Sequence, residues 1–278
     1  MNVRLATSLL TLLGLGGAFA PAASADSVVV PDPTAANVTV YGSTAAYSRR
    51  ADDGTYRLMI LSEGSATEAP VPPSRAPYDP DLGPTASNGR TVVYARGGDL
   101  YRFDVGSTAE RKLTRLSSSA TERAPSFYKE SITFSRAGSR PGWYLYRPGK
   151  ALKRVSKVAP LETDIAATRV AGRFFGGARS VIRQSNFTGA DLRTIARAHA
   201  GEKLSSPTLT RFNVFWLRDL ARSRAARAER VGVNAHRGLR PLTADHAFSS
   251  ATSLATTSIP VLYTSTQGIL SVDPKLKF

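Results

Sequence analysis

Cysteine is absent from this 278-residue chain. Its absence excludes disulfide bonds, which exported proteins often use, and a lipid anchor on an amino-terminal cysteine. Without cross-links, the fold needs a hydrophobic core large enough to hold it together. The length allows one large β domain or two smaller domains.

Histidine is scarce, and His199, His236 and His246 do not form the paired spacing that a metal site requires. The pentapeptide G-x-S-x-G of a serine hydrolase does not occur. Residues 51–56, ADDGTY, lack the further acidic ligands of a calcium loop and predict a tight turn around Gly54. The sequence therefore predicts no catalytic residue, no metal site and no cofactor.

Acidic residues are few relative to basic ones, since 21 Asp and Glu face 37 Lys and Arg and the formal net charge is +16. Such an excess favours contact with polyanions. Residues 211–240 contain eight arginines, with Asp219 and Glu229 as the acids. A second stretch has Glu130 as its single acid and nine basic residues: Arg123, Lys129, Arg136, Arg140, Arg147, Lys150, Lys153, Arg154 and Lys157. Both stretches are interpreted either as solvated faces or as a surface that binds a polyanion.

Long hydrophobic runs are absent beyond the amino end. Residues 1–25, MNVRLATSLLTLLGLGGAFAPAASA, combine Arg4, an apolar run and the small triplet from Ala23 to Ala25, which is the layout of a secretory signal peptide. The run contains glycines and hydroxyl residues and is shorter than the roughly 20 strongly apolar residues of a spanning helix. We therefore expect cleavage after Ala25 and a secreted, extracellular or periplasmic protein that does not span the membrane.

A strand pattern recurs along the rest of the chain. It is clearest in TVVYAR (91–96), SITFSR (131–136) and NVFWLR (213–218). Looser copies are TAAYSR (44–49), PVLYTS (260–265) and, weakest, SVIRQS (180–185). The aromatic position falls at Tyr47, Tyr94, Phe134, Trp216 and Tyr263, with Arg183 in the fourth place. The mean spacing of about 43 residues is the period of a four-stranded propeller blade.

Each copy is followed, after a turn former such as Gly97-Gly98, by a partner strand that completes a hairpin. These partner strands, the third of each blade, are predicted at residues 56–62, 99–105, 143–147, 190–196, 229–234 and 268–273. The ends of outer strands are predicted at Leu113-Thr114, Val155-Ser156, Leu204-Ser205 and Leu242-Thr243. Proline lacks an amide donor, so Asp79-Pro80, Ala124-Pro125 and Ser206-Pro207 are predicted in the loops that enter inner strands.

Residues 79–114, DPDLGPTASNGRTVVYARGGDLYRFDVGSTAERKLT, resemble the repeat of the TolB-type propellers. That repeat runs Asp-Pro, Ser-Pro-Asp-Gly, a strand with an aromatic residue, Ile-Tyr, an aspartate and a terminal Leu-Thr. Its places are filled by Asp79-Pro80, Asn88-Gly89, Tyr94, Leu100-Tyr101, Asp104 and Leu113-Thr114. The match is partial from residue 124 to 156 and faint elsewhere. The resemblance implies a fold and carries no catalytic residue with it.

We therefore predict a signal peptide (1–25), an amino-terminal segment (26–36) and an all-β, six-bladed propeller of four-stranded antiparallel blades (37–278). The alternative is a β-sandwich or barrel with evenly spaced strands. Blade four departs most from the pattern, because GRFFGGARS (172–180) is predicted to widen its first turn, with Phe174 and Phe175 in a blade contact or an exposed loop. In blade five, LARSRAARAER (220–230) is predicted to be a long, partly helical turn.

The two ends of the chain are predicted to meet. Few residues remain after residue 273 for an outer strand, whereas Val28, Val29 and Val30 form a β-branched run stopped by Pro31. An open ring would leave strand edges exposed to other chains. We expect residues 28–30 to pair beside residues 268–273 and close the ring.

Three classes of function remain. The first is a monomeric, non-enzymatic binding or scaffold propeller of the cell envelope, whose partner is a protein or an anionic envelope polymer and not nucleic acid. The second is a hydrolase or lyase, which would collect acids or histidines at the channel mouth, for example Asp79, Asp164, Asp245 and His246. Asp79 and Asp81 are otherwise expected in a polar turn. The third, a regulatory propeller of a peptidase, would need a catalytic domain for which the chain has no room.

Overall fold

The structure is a computed structural model that describes residues 27–211, 213–219, 225–232, 240–241, 247–249, 254–256, 261–265 and 268–271. These residues form β-strands and turns and no helix, as predicted. The described part of the chain consequently has no helix of the length and apolarity needed to cross a bilayer. The predicted signal peptide lies outside the described residues.

The strands form six antiparallel sheets and are numbered in chain order from β1, Ser27–Val30. The first sheet consists of β2 (Ala36–Tyr41), β3 (Thr44–Arg50), β4 (Tyr56–Ser62) and β5 (Ser65–Glu68). The second consists of β6 (Asp81–Pro84), β7 (Arg90–Arg96), β8 (Asp99–Asp104) and β9 (Arg111–Lys112). The third consists of β10 (Glu122–Tyr128), β11 (Ser131–Arg136), β12 (Gly142–Tyr146) and β13 (Lys153–Ser156).

The fourth sheet consists of β14 (Glu162–Ala166), β15 (Arg169–Gly176), β16 (Arg179–Asn186) and β17 (Arg193–Arg197). The fifth consists of β18 (Lys203–Leu209), β19 (Asn213–Asp219), β20 (Ala225–Gly232), β21 (Arg240–Pro241) and β22 (Ala247–Ser249), which also pairs with β20. The sixth consists of β23 (Leu254–Thr256), β24 (Val261–Ser265), β25 (Gly268–Ser271) and β1.

The sheets are arranged as the blades of a β-propeller. Within each sheet the strands follow one another in chain order from the inner strand outwards, apart from β22 and the addition of β1 at the outer edge of the sixth. The inner strands β2, β6, β10, β14, β18 and β23 contact one another in a closed cycle around a central channel. Strands joined by short turns pair in this meander because each hairpin needs only a few residues.

Hydrophobic cores lie between neighbouring sheets rather than inside one layer. The second strands supply several of the largest buried side chains, and Tyr47, Tyr94, Phe134 and Trp216 are all buried, as their periodicity suggested. Tyr94 packs with Leu58 of the first sheet, for example. Each sheet thus buries both faces against its neighbours, which explains the runs of apolar residues in the second strands.

β1 pairs antiparallel with β25 and is the outermost strand of the sixth sheet. Val28 lies opposite Leu270 of β25, and this is the strand beside which the sequence analysis placed the valine run. Val30 is buried in a cluster that joins Leu262 of the sixth sheet to Val38 and Tyr47 of the first. The amino end of the described chain is therefore part of the sheet that contains its last strands.

The fourth sheet differs from the sequence prediction. The segment 180–185 belongs to the third strand, β16, and the second strand is β15. Asp164 pairs with Ala171 as Asp81 pairs with Val93 in the second sheet. Gly172, which follows Ala171, therefore occupies the position that Tyr94 has in the second sheet. A methyl group on Gly172 would lie 3.1 Å from the Phe174 ring, which fills the missing volume. Residues 172–176 are consequently strand and not a widened turn.

Four further predictions are wrong. Leu204-Ser205 lies in the inner strand β18 and not at an outer end, and residues 190–196 lie at the fourth strand, β17, rather than the third. Ala124-Pro125 and Ser206-Pro207 lie inside inner strands, at register shifts where the φ of Ala124 is 47° and that of Ser206 is 50°. Proline is tolerated there because these strands have an unpaired edge at the channel. Residues 225–230, predicted as part of a turn, belong to β20.

Candidate functional site: the central cavity

The inner strands have one unpaired edge, so their backbone N–H groups need partners other than a neighbouring strand. Side chains at one repeated position supply them. Five inner-strand residues each pair with the residue just before the aromatic position of the second strand. They are Thr39, Asp81, Ser126, Asp164 and Thr208. The first four of these, here called the belt, accept hydrogen bonds from the next sheet around the ring.

The belt follows a single rule. Each side chain accepts from the amide N–H of the residue that follows the equivalent position in the next sheet. The Leu82 amide donates to Oγ1 of Thr39 over 3.1 Å, and the Phe127 amide donates to Oδ2 of Asp81 over 2.6 Å. The equivalent donors to Ser126 Oγ and Asp164 Oδ2 are the amides of Ile165, over 2.9 Å, and Leu209. Polar inner positions therefore join successive sheets.

Ser126 lies between two carboxyl groups of the belt. Its Oγ is 2.8 Å from Oδ2 of Asp81 and 2.8 Å from Oδ1 of Asp164. A hydroxyl has one hydrogen and can donate to only one of them. The contact with the other carboxyl group is favourable only when that group donates a proton of its own, and the raised pKa values of both aspartates favour this state.

A second row of side chains lies two residues before the belt. Asn37 Nδ2 donates to the Tyr78 carbonyl over 2.7 Å. Glu162 Oε2 accepts from the Ser206 amide over 2.6 Å, and its Oε1 accepts from Arg173 over 2.7 Å. The carboxylate of Asp79, in contrast, has no hydrogen-bond or ion-pair partner in the part of the chain that the structure describes. Asp79 is therefore the carboxyl group left available to a ligand.

The two rows surround a cavity of about 270 Å³ in the channel, which is lined by residues of β2, β14 and β18 and by residues at and beside β6 and β10. Its walls carry four carboxyl groups, those of Asp79, Asp81, Glu162 and Asp164, and the cation of Arg211. The cavity is thus acidic although the whole chain has a formal charge of +16. The cavity therefore carries a negative local potential although the net charge of the protein is positive.

Three of these carboxyl groups ionise less readily than usual. Asp79 lines the cavity, and desolvation, with the charges of Glu162 and Asp81, raises its pKa to about 7. Desolvation also raises the pKa of Asp81 to about 6, although hydrogen bonds from Phe127, Ser126 and Thr39 oppose it. Desolvation and the charge of Asp81 raise the pKa of Asp164 well above its usual range. Burial therefore favours a proton on the pair formed by Asp81 and Asp164.

The sequence predicted only part of this site. Asp79 and Asp164 line the cavity as the channel-mouth hypothesis proposed, whereas Asp245 and His246 lie outside the described residues, as does His236. His199 is exposed and does not line the cavity. Asp81 is a belt residue and not a turn residue. Sequence reasoning missed Ser126 and Glu162. An alignment of VTV, PDL, PSF, TDI and PTL in the five inner strands would have found Ser126, and Glu162 lies just before the aligned TDI.

The tight turn predicted around Gly54 is present in the structure. The described residues contain no group of three or more His, Asp or Glu placed to hold a metal ion. Residues 51–56 form a turn in which Asp53 Oδ1 accepts from the Thr55 amide over 2.8 Å. Asp53 is thereby used within its own turn, as in an Asx turn.

A ring of four-stranded antiparallel sheets around a channel with an acidic cavity defines a β-propeller. Among solved structures the chain is similar to TolB from Acinetobacter baumannii, with a TM-score of 0.57 and 15% identity, over 83% of this chain and 64% of that one. The chain thus spans just under two thirds of that TolB. The likeness agrees with the TolB-type repeat in residues 79–114 and shows the fold alone.

Two other propellers are similar over most of their length. The β-propeller domain of the Trilobed protease from Pyrococcus furiosus has a TM-score of 0.54 and 10% identity, over 88% of this chain and 84% of that one. An oligogalacturonate lyase in complex with manganese has a TM-score of 0.52 and 11% identity, over 84% and 87%. No protein-family model and no curated protein matches the chain. A TolB protein, the propeller domain of a protease and a lyase are therefore all similar to this chain in fold.

Proposed function

We propose that this protein is an exported, six-bladed binding propeller that holds a ligand in its central cavity. The six sheets serve as six blades, and the pairing of β1 with β25 supports a ring closed by both ends of the described chain. The ligand carries a positive charge or several hydrogen-bond donors, such as an amine or a basic side chain of a partner protein. A non-enzymatic role agrees with the absence of catalytic motifs in the sequence.

One observation carries this proposal. The Asp79 carboxylate borders a cavity of about 270 Å³ and has no partner among the described residues, while its counterparts Asn37 and Glu162 both bond to the next sheet. A cavity of this kind with a few convergent polar groups is the usual form of a small-ligand site. An available carboxylate in such walls favours a cationic group, because opposite charges attract.

The experiment is a thermal-shift screen against a panel of amines and guanidines, with carboxylates of matched size as the comparison set. We expect hits among the cations, and Asp79→Asn should weaken them at least tenfold. The matched control is Asp52→Asn, because Asp52 is an exposed turn residue far from the cavity lining. Hits confined to anions, or equal losses in both variants, would contradict the cavity proposal.

Export is tested separately. The protein is expressed in its native host, and the secreted or periplasmic fraction is examined by amino-terminal sequencing. We expect a chain that begins at Asp26, since the small triplet ending at Ala25 marks the cleavage site. Retention of residues 1–25 on the cytoplasmic protein would overturn this part of the proposal.

A second candidate function is a hydrolase or lyase that uses the same cavity. It is favoured by Asp79, whose pKa of about 7 suits a general acid or base at neutral pH. If a cavity ligand is consumed on incubation, Asp79→Asn should abolish turnover while the ligand still protects the protein thermally. A ligand that is recovered unchanged argues for the binding function.

A further inference from the structure

The outer edge of the third sheet carries an unusually dense set of positive charges. Within residues 147–157, RPGKALKRVSK, five residues are basic and none is acidic. This set, here called the β13 ridge, consists of Arg147, Lys150, Lys153, Arg154 and Lys157. It is separate from the acidic central cavity, because none of its members lines that cavity.

The fold arranges these residues along a line. Arg147 directly follows β12, Lys150 lies in the turn before β13, and Lys157 directly follows β13. β13 is the last strand of its sheet and pairs only with β12 among the described strands. The ridge therefore runs along the outer edge of the blade from one end to the other.

The ridge is not neutralised by the protein. Lys150, Lys153, Arg154 and Lys157 are exposed, and no carboxylate of the described residues forms an ion pair with any ridge member. Arg154 donates to the Pro141 carbonyl, which positions its guanidinium without cancelling its charge. The positive field of the ridge therefore extends into solvent.

The outer strand of the second sheet provides the contrast. There Lys112 Nζ lies 2.6 Å from Asp99 Oδ2, and Arg111 lies 3.7 Å from Asp104. Lysines on edge strands also prevent pairing with other chains. That purpose alone does not account for the ridge, because β5, another outer strand, has the sequence SATE with no cation. The ridge also extends beyond β13 on both sides.

From these observations we infer that the β13 ridge binds a flexible linear polyanion that carries phosphate or carboxylate groups along its chain. A line of cations on a convex edge can follow a polymer, whereas a flat bilayer would meet only a few of them. In the described residues the ridge has one large exposed apolar neighbour, Val158, so it offers little for membrane insertion. Neutralising several anionic groups releases their counterions, which makes such binding strongly dependent on salt.

Long-chain inorganic polyphosphate and poly-L-glutamate are the two polymer probes, and vesicles with phosphatidylglycerol are the membrane probe. The ridge variant replaces Lys150, Lys153, Arg154 and Lys157 by glutamine. Its control replaces four exposed cations elsewhere by glutamine, namely Arg50, Arg75, Arg115 and Lys203. Both variants lose the same net charge, so a difference between them reports position rather than total charge.

We expect polymer binding by the wild type to weaken steeply between about 50 and 200 mM NaCl, as counterion release requires. The ridge variant should lose at least tenfold in affinity at the lower salt concentration, and the control much less. Binding of polyphosphate but not poly-L-glutamate, or the reverse, identifies the anionic group. Equal losses in both variants, no polymer binding at low salt, or binding to vesicles alone would overturn the inference.

A footprint on the wild-type protein keeps the test valid if a variant folds poorly. Acetylation of lysine amines, read by mass spectrometry, should slow at Lys150, Lys153 and Lys157 when polyphosphate is present. Lys203, which is exposed on the fifth sheet, should react at an unchanged rate. Protection of Lys203 to the same extent would show diffuse binding and contradict a ridge site.

Discussion

The Oγ atom of Ser126 lies 2.8 Å from Oδ1 of Asp164 in the neighbouring sheet. The same oxygen lies 2.8 Å from Oδ2 of Asp81 in the sheet on the other side. One serine thus links three successive sheets at the channel wall, through carboxyl groups whose burial disfavours ionisation. The stability of the ring is therefore tied to pH at this point.

The first prediction is that the protein is more stable at pH 5 than at pH 8. The pKa values of Asp79 and Asp81 rise from the ordinary 3.8 to about 7 and about 6, and that of Asp164 rises well above its ordinary value. Between the unfolded and folded pKa values the folded state holds more protons, so the free energy of unfolding falls as pH rises. One pKa unit corresponds to about 1.4 kcal/mol, and we expect Tm to fall by roughly 5 °C or more.

Asp164→Asn isolates the shared proton. An asparagine at this position still accepts from the Leu209 amide and donates to Ser126, as a protonated aspartate does. It cannot ionise, so its Tm should depend less on pH between 5 and 8 than that of the wild type. Carboxyl ¹³C titration provides a direct check. If the wild type shows every aspartate ionised below pH 5, the shared proton does not exist.

The second prediction compares two buried serines. Ser126→Ala leaves the Ile165 amide with Asp164 Oδ1 as its acceptor and removes the hydroxyl that separates two carboxyl groups, and should cost about 1–3 kcal/mol. Ser135→Ala is the control, because Ser135 is fully buried and its hydroxyl has no hydrogen-bond partner. Urea unfolding at pH 7 should show little loss for Ser135→Ala, or a gain. A loss at Ser126 no larger than at Ser135 would argue against the belt.

The repeated parts of the fold could be read from the sequence, and the inner strands could not. Tyr47, Tyr94, Phe134 and Trp216 identified the second strands because an aromatic residue is needed wherever two sheets pack together. The fourth sheet does not show this pattern, because Gly172 occupies the aromatic position and the Phe174 ring fills the space beside it. A pattern that scores one position cannot detect a core filled from another.

The cavity was harder to predict for a different reason. Asp81 and Asp164 are distant in sequence and meet only when the ring forms, and Ser126 between them has no unusual sequence context. Proline at Pro125 and Pro207 suggested loops, because the unpaired inner edge that tolerates proline is a property of the assembled ring. Local propensity therefore failed where the tertiary arrangement supplied the missing hydrogen-bond partners.

The third prediction separates the two adjacent phenylalanines of β15. Phe174 is fully buried, and its ring centroid lies 5.6 Å from that of Trp143 in the third sheet. Phe175 is 60% exposed. Phe174→Ala should therefore cost about 3–5 kcal/mol, measured by urea unfolding, and Phe175→Ala should change stability by less than about 0.5 kcal/mol. Similar effects at both positions would contradict this division between a sheet contact and the surface.

The fourth prediction concerns the close approach of the second and third sheets. A methyl group added to Gly83 would lie 2.1 Å from the backbone oxygen of Phe127, which no side-chain rotation can relieve. Gly83→Ala should therefore lower Tm by 10 °C or more, since inner strands would have to separate. Gly89→Ala is the control, because its methyl group would meet only the Thr85 side chain, at 3.0 Å. Equal Tm values for the two variants would disprove the close approach.

The fifth prediction tests the role of β1 in closing the ring. Val30 is 8% exposed in the cluster that joins Leu262 of the sixth sheet to Val38 of the first, whereas Val29 is 38% exposed on the same strand. Val30→Asp buries an unpaired carboxylate between the two sheets, so it should lower the free energy of unfolding by about 3 kcal/mol or more. Val29→Asp places the same charge near solvent and should be almost neutral.

Deletion of residues 26–31 tests the same contact without a buried charge. Removing β1 leaves β25 with an unpaired outer edge, which invites pairing with a second chain. We expect a lower Tm and concentration-dependent association, measured by calorimetry and by light scattering after size-exclusion chromatography. A truncated protein that stays monomeric and keeps the Tm of the wild type would show that β1 is not needed to close the ring, and Val30→Asp would then have to act through its charge alone.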